Sequence, residues 1–164
     1  MKKKKGQEGP MGMSFGVIFS IILIISFIFA AFFGIKQFLQ LSECTQIGNF
    51  YESLQRKIDK IFYETAAENV IFEIKLPKKI KKICFANLSA TITNNEDYEE
   101  LKEFDFEDAN LFLLPKEATC SMPYKKIEKI KMEEIVNKRN PYCIENSENI
   151  KLSKKIYDKY VILE

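Results

Sequence analysis

The chain has no histidine, which removes the commonest general base and the usual nitrogen ligand for zinc. Its four cysteines, Cys44, Cys84, Cys120 and Cys143, lie 23 or more residues apart, so no Cys-x-x-Cys pair exists to hold a metal or to run thiol exchange. Glycine is scarce where chemistry would need it. Five of the six glycines are Gly6, Gly9, Gly12, Gly16 and Gly34, and the sixth is Gly48, leaving no glycine-rich loop to cradle a phosphate. A basic excess is also missing from most of the chain: four of the 25 Lys and Arg are Lys2 to Lys5, and beyond them basic and acidic residues nearly cancel. Nucleic-acid binding therefore loses its electrostatic support. These absences lead us to expect no enzymatic activity, no metal, no cofactor and no nucleic-acid partner.

What the chain does have is an uncharged run over residues 11–35, preceded by Lys2, Lys3, Lys4 and Lys5. A hydrocarbon core about 30 Å thick needs roughly 20 apolar residues in a helix, so this run is long enough to cross with some tilt. Backbone groups in lipid must bond within their own segment, which makes a helix the expected conformation despite Val17, Ile18, Ile21 and Ile22. The lysine tract at one edge predicts a cytoplasmic N-terminus and an exported remainder. A cleaved secretory signal has a shorter apolar region and a small-x-small site, for which Ala30 and Ala31 are a weak match, so an uncleaved anchor is favoured. The lipid bilayer is thus the first expected partner, with self-association through the span and a protein partner of the exported domain as further candidates.

Export makes disulfides the expected role of the even number of cysteines. Four cysteines allow three pairings, and the spacing does not choose among them; Cys44 with Cys84 and Cys120 with Cys143 is the expected set. A bridge from Cys120 to Cys143 would close a loop bracketed by Pro123, Asn140 and Pro141 and remove about 3 kcal/mol of loop entropy from the unfolded chain. Tyr124 and Tyr142 in that loop are either contact residues or packed on the sheet, the second being favoured.

Beyond the span the apolar pattern becomes periodic. Ile47, Phe50, Tyr51, Leu54, Ile58, Ile61 and Phe62 recur at helical spacing, with Glu52, Gln55, Arg56, Asp59 and Lys60 between them, the pattern of an amphipathic helix. No linker separates it from the span, so one helix is expected over residues 13–68, bent at Gly34 or Gly48, with Gly48 alternatively a close-packing site. Later segments read as β-rich. Phe72, Ile74 and Leu76 alternate with Glu73 and Lys75 before Pro77, a second strand is expected within 80–86, and a third over 110–114. A short surface helix is expected between Asn95 and Phe104, and a terminal hairpin pairs Ile150, Leu152 and Ile156 with residues 160–163 around Tyr157. The stretch 124–135 fits neither period. The expected architecture is α+β: a basic tail (1–10), a transmembrane helix (11–35), an amphipathic helix continuing from it (36–68), and a small β-rich extracytoplasmic domain (69–164) with one core and an antiparallel sheet.

Three polar patches stand out. The carboxylates Glu96, Asp97, Glu99, Glu100, Glu103, Asp105, Glu107 and Asp108 read as a solvated acidic face, since their spacing matches no calcium loop. Lys78, Lys79, Lys81 and Lys82 read as an exposed turn and a strand edge kept from aggregating, the alternative being attraction to anionic headgroups or a polymer. Asn87-Leu88-Ser89 is a sequon that export would make available for glycosylation at Asn87.

At Lys4-Lys5-Gly6-Gln7-Glu8, followed by the apolar run, the N-terminus resembles the class III signal of archaeal type IV pilin-like proteins. The resemblance implies leader cleavage between Gly6 and Gln7 and a long N-terminal helix, half in the membrane and half packed on an antiparallel sheet. The opening Gly12-Met13-Ser14-Phe15-Gly16 is also similar to that of uncharacterised archaeal single-span membrane proteins, a resemblance that implies no activity. The combined expectation is a single-pass anchored protein with a disulfide-stabilised interaction or structural domain. The alternative is a pilin-like or pseudopilin subunit of a surface filament or secretion system.

Overall fold

The computed structural model describes residues 15–164. They divide into two compact units, one ending at Leu41 and one comprising Ser42–Glu164. The first consists of the N-terminal part of helix α1 (Phe15–Tyr63). Its Phe, Ile and Val side chains between Phe15 and Ile35 are exposed, and at 1.5 Å per residue this stretch extends about 31 Å, the thickness of a hydrocarbon core. The Ser20 hydroxyl donates to the Gly16 carbonyl at 2.8 Å, so this polar side chain is satisfied within the helix.

The second unit begins inside the same helix. Ile47, Phe50, Tyr51, Leu54, Ile58 and Ile61 are buried, at steps of three and four that place them in one stripe. The helix ends at Tyr63 rather than running on to Glu68, because Ala67 already belongs to strand β1 (Ala67–Glu73). It is unbroken at Gly34 and Gly48, and a Cβ added at either glycine would meet nothing within 4 Å. The close-packing role considered for Gly48 is therefore corrected: no neighbouring atom lies near enough to require a glycine.

The strands form two antiparallel sheets where one was expected. Strand β1 pairs with β6 (Asn149–Lys154), which pairs with β7 (Ile162–Leu163), giving the order β1-β6-β7. The second sheet has the order β4-β3-β2-β5, built from β2 (Lys82–Phe85), β3 (Leu111–Leu114), β4 (Tyr124–Lys125) and β5 (Tyr142–Glu145). Helix α2 (Asn95–Leu101) continues as a 3-10 turn (Lys102–Phe104), and α3 (Met132–Lys138) occupies part of the stretch that fitted neither period. The expected terminal hairpin is present as β6–β7, with Leu152 opposite Leu163, although Ile156 lies in the exposed turn rather than on the strand.

Pleat geometry explains why β3 is buried at all four positions. Successive side chains point to opposite faces, and both faces of this sheet are covered. Ile83, Phe85, Leu111 and Leu113 join the α1 stripe and the apolar residues of β6 and β7 in the main core. Cys84, Phe112 and Leu114 face the other way, against Leu101 and Phe104. The single core expected from chain length is thus a main core with a smaller second cluster, made feasible because the short α2 segment covers the outer face of the sheet.

Two substitutions check this packing by chemical denaturation. Leu54, fully buried in the stripe, should cost about 2–5 kcal/mol when changed to Ala. Gly48→Ala should instead raise stability by about 0.5–1 kcal/mol, since it adds helix propensity without a clash.

Candidate functional site

The two disulfides join Cys44 to Cys120 and Cys84 to Cys143, which corrects the expected pairing of Cys44 with Cys84 and Cys120 with Cys143. The reason is the pleat. On β2, Ile83 and Phe85 face the core that contains α1, so Cys84 between them faces away from the helix that carries Cys44. It lies instead directly opposite Cys143 on the neighbouring strand β5, with Cα atoms 4.0 Å apart. Cys120 and Ser121 both have left-handed backbones, φ 53° and 64°, in the turn before β4, and Cys120 meets α1 with a Cα separation of 5.5 Å. The bridges span 76 and 59 residues, and each would remove about 4 kcal/mol of unfolded-state entropy on the loop-closure model. Because the two loops interleave, the two contributions do not simply add.

A polar node lies beside α2, near the second disulfide. Asp97 was grouped with the solvated acidic residues, and the structure corrects this: it is 6% exposed. Its carboxylate accepts from Lys82 Nζ at 2.7 Å and from Asn94 Nδ2, and lies 3.5 Å from Arg139 Nη2. Burial by itself would raise the Asp97 pKa, but the hydrogen bonds from Lys82 and Asn94, with the charges of Lys82 and Arg139, hold it below the ordinary carboxylate value. The Lys82 ammonium is correspondingly raised, first by its hydrogen bond to Asp97. Fully buried Asn140 ties the adjoining loops: its Oδ1 accepts from the Asn87 amide at 3.1 Å, and its Nδ2 donates to the carbonyls of Asn87 and Thr91. Every polar atom of that side chain is therefore used in holding backbone, as a buried amide requires.

The lysine knot divides. Lys79 bonds Glu43 on α1 at 2.8 Å, and Lys82 bonds Asp97 and Glu100. The strand that Lys82 opens is internal to its sheet, lying between β3 and β5, so the edge-protecting role is corrected. Asn87 is exposed, and its Oδ1 accepts from the Ser89 amide at 3.1 Å in a local turn. Tyr124 is half-buried against Phe104, with ring centroids 5.5 Å apart, and Tyr142 is also half-buried. Gly6 and Gln7 lie outside the described residues. Among the described residues, no three His, Cys, Asp or Glu side chains come together as a metal site would require.

A groove of about 880 Å³ lies on the second unit. One wall is the outer flank of α1, with Asn49, Ser53, Arg56, Lys57 and Lys60; the other is β1 and its continuation, with Ile71, Glu73 and Lys75. The two walls run alongside each other. Phe50 meets Phe72 edge to face at 5.9 Å, while Lys154, paired with Ala67, bonds the Phe62 carbonyl at 2.5 Å. Twelve helical residues and five strand residues cover the same length, about 17–18 Å, so β1 returns antiparallel to α1. This site was missed from sequence, where Arg56 and Lys60 counted only as the polar side of an amphipathic helix. The available signal was three cations at positions i, i+1 and i+4.

Two measurements check these assignments. Unreduced tryptic mapping should recover Cys44 linked to Cys120 and Cys84 linked to Cys143, and the double change Cys44→Ser, Cys120→Ser should lower stability by about 2–4 kcal/mol. The lowered Asp97 pKa means that its contribution is complete above the unfolded value of 3.8 and is lost as pH falls through the lower folded value. Asp97→Asn should therefore cost about 1–2 kcal/mol at neutral pH and flatten the acid limb of the stability profile below pH 3.8.

In comparison with known proteins, the chain matches no protein-family model, no curated protein and no solved structure.

Proposed function

We propose that this is a single-pass membrane protein with a cytoplasmic N-terminus, whose disulfide-bonded domain from Ser42 onward works outside the cytoplasm by binding or structural association and not by catalysis. The observation that carries this reading is the uncovered apolar stretch of α1. Its large apolar side chains between Phe15 and Ile35 are all exposed rather than buried within the protein, a surface that water would not tolerate and lipid would solvate. Two disulfides with no free thiol among the described residues support an oxidising compartment, and the lysine tract supports the orientation. The bilayer is then the first partner, with a protein meeting the exported domain as the second.

A second reading is a pilin-like or pseudopilin subunit, cut between Gly6 and Gln7 and self-associating through the apolar part of α1. It is favoured by one specific feature: α1 passes without a break from its lipid-length apolar stretch into a stripe packed among antiparallel sheets.

Two measurements test these readings, the first the orientation they share and the second the difference between them. Alkaline phosphatase fused after Glu164 should be active and a fluorescent protein at the same place dark, and the reverse pattern would overturn the orientation. Intact mass of the purified chain should retain Lys2 to Lys5 for the anchored protein, whereas a mature N-terminus at Gln7 would replace it with the pilin-like reading.

A further inference from the structure

We propose that the groove between α1 and β1 receives an extended, carboxylate-bearing peptide segment of a partner protein, which adds as a fourth strand to the free edge of β1. The inference rests on the reading that the domain works by binding, and it names the class of partner and the place of contact.

Three observations converge on this groove. The first is an open ladder. Strand β1 is hydrogen-bonded on one side only, to β6, and among the described residues no other backbone or side chain bonds its outer edge. The far strand, β7, is by contrast flanked by the Ile130–Val161 bridge. Open edges are the sites at which extended peptides add by main-chain pairing. A bulge with Asn69 at φ 51° marks the start of β1, leaving the regular ladder from Val70 to Glu73 as the usable edge.

The second is unspent positive charge. Lys79, Lys82, Lys102, Lys116, Lys126, Lys129 and Lys131 are all in ion pairs. Arg56, Lys57 and Lys60 on the groove wall have no ion-pair partner among the described residues, and Glu73, the carboxylate that lines the groove, pairs with Lys75 at 3.6 Å. Other cations of the described residues, such as Lys78, Lys125 and Lys138, also lack an ion-pair partner, but Arg56, Lys57 and Lys60 stand together on one wall of a groove.

The third is geometry. A strand added beside β1 would turn alternate side chains toward the α1 flank, as Val70 and Phe72 already do. From Asn49 to Lys60 that flank runs about 17 Å, the length of five or six strand residues. Carboxylates on the inward positions would meet Arg56, Lys57 and Lys60, while Phe50 and Phe72 offer apolar contact toward the other end. An anionic polysaccharide or lipid headgroup would use the cations but has no peptide N–H and C=O to match the ladder, which is why a peptide is favoured.

The test uses the full chain in detergent micelles and, as probe, a fluorescent six-residue peptide of alternating Glu and Val. The peptide should bind, and the double reversal Arg56→Glu, Lys60→Glu should weaken it by about tenfold or more. Both positions are exposed, so the variant should keep its two disulfides and its denaturation midpoint, which are measured alongside. Two N-methylated peptides, blocked at odd or at even residues, should differ, because only one set faces β1 in a paired strand; one should lose binding and the other keep it. Absence of peptide binding, indifference to the charge reversal, equal behaviour of the two N-methylated peptides, or equal occupancy of the groove by polygalacturonate or by phosphatidylglycerol vesicles would each overturn strand addition. The assay does not depend on topology, so its failure is distinguishable from failure of the fusion reporters.

Discussion

Burying Ile47, Phe50, Leu54, Ile58 and Ile61 along one side of α1 requires a surface able to cover a stripe about 21 Å long, and the second unit is organised to provide it. Apolar residues of both sheets reach the same cluster: Val70, Phe72, Ile150, Leu152 and Leu163 from one, Ile83, Phe85, Leu111, Leu113 and Ile144 from the other. Neither sheet is large, with three and four strands, several of them only two to four residues long. Such sheets hold together through what they pack against rather than through their own ladders.

The same helix meets two different demands along its length. Up to Ile35 its side chains are uncharged, largely apolar and exposed, and from Ile47 they alternate between a buried stripe and a polar flank. Covering one face of the four-stranded sheet with the main core leaves the other to be covered separately, which α2 and the 3-10 turn do with Leu101 and Phe104. That arrangement puts Asp97 into a buried position, where Lys82, Asn94 and Arg139 offset the desolvation of its charge. The disulfides follow from the layering as well, one tying α1 to the turn before β4 and the other joining two strands on the outer face.

The described residues contain one side chain that this packing does not satisfy. Ser153 Oγ is buried on β6 without a hydrogen-bond partner, opposite Ile162, and the structure offers no physical account of it. The groove beside β1 has a plainer origin. The three-stranded sheet stops at β1, so the α1 flank beyond it has polar neighbours on one side and an open ladder on the other.

Much of the architecture could be read directly from residue patterns, because the signals were local. An uncharged run of sufficient length specifies a helix in lipid, where backbone groups must bond within their own segment, and steps of three and four at Ile47, Phe50, Tyr51, Leu54, Ile58 and Ile61 specify which side of that helix is buried. Alternation about Ile150 located β6 in the same way, whereas the strand expected from Phe72 to Leu76 overlaps β1 only at Phe72 and Glu73, because β1 begins at Ala67 and ends before Ile74. What remained hidden depended on contacts between distant segments. The pairing of the cysteines turned on which face of β2 carries Cys84, the burial of Asp97 on which sheet face α2 covers, and the groove on where the smaller sheet ends. Strand order and sheet edges are set by long-range burial and hydrogen bonding. Composition and periodicity therefore determined the elements and their buried sides, while only tertiary packing decided which elements became neighbours and which edge was left open.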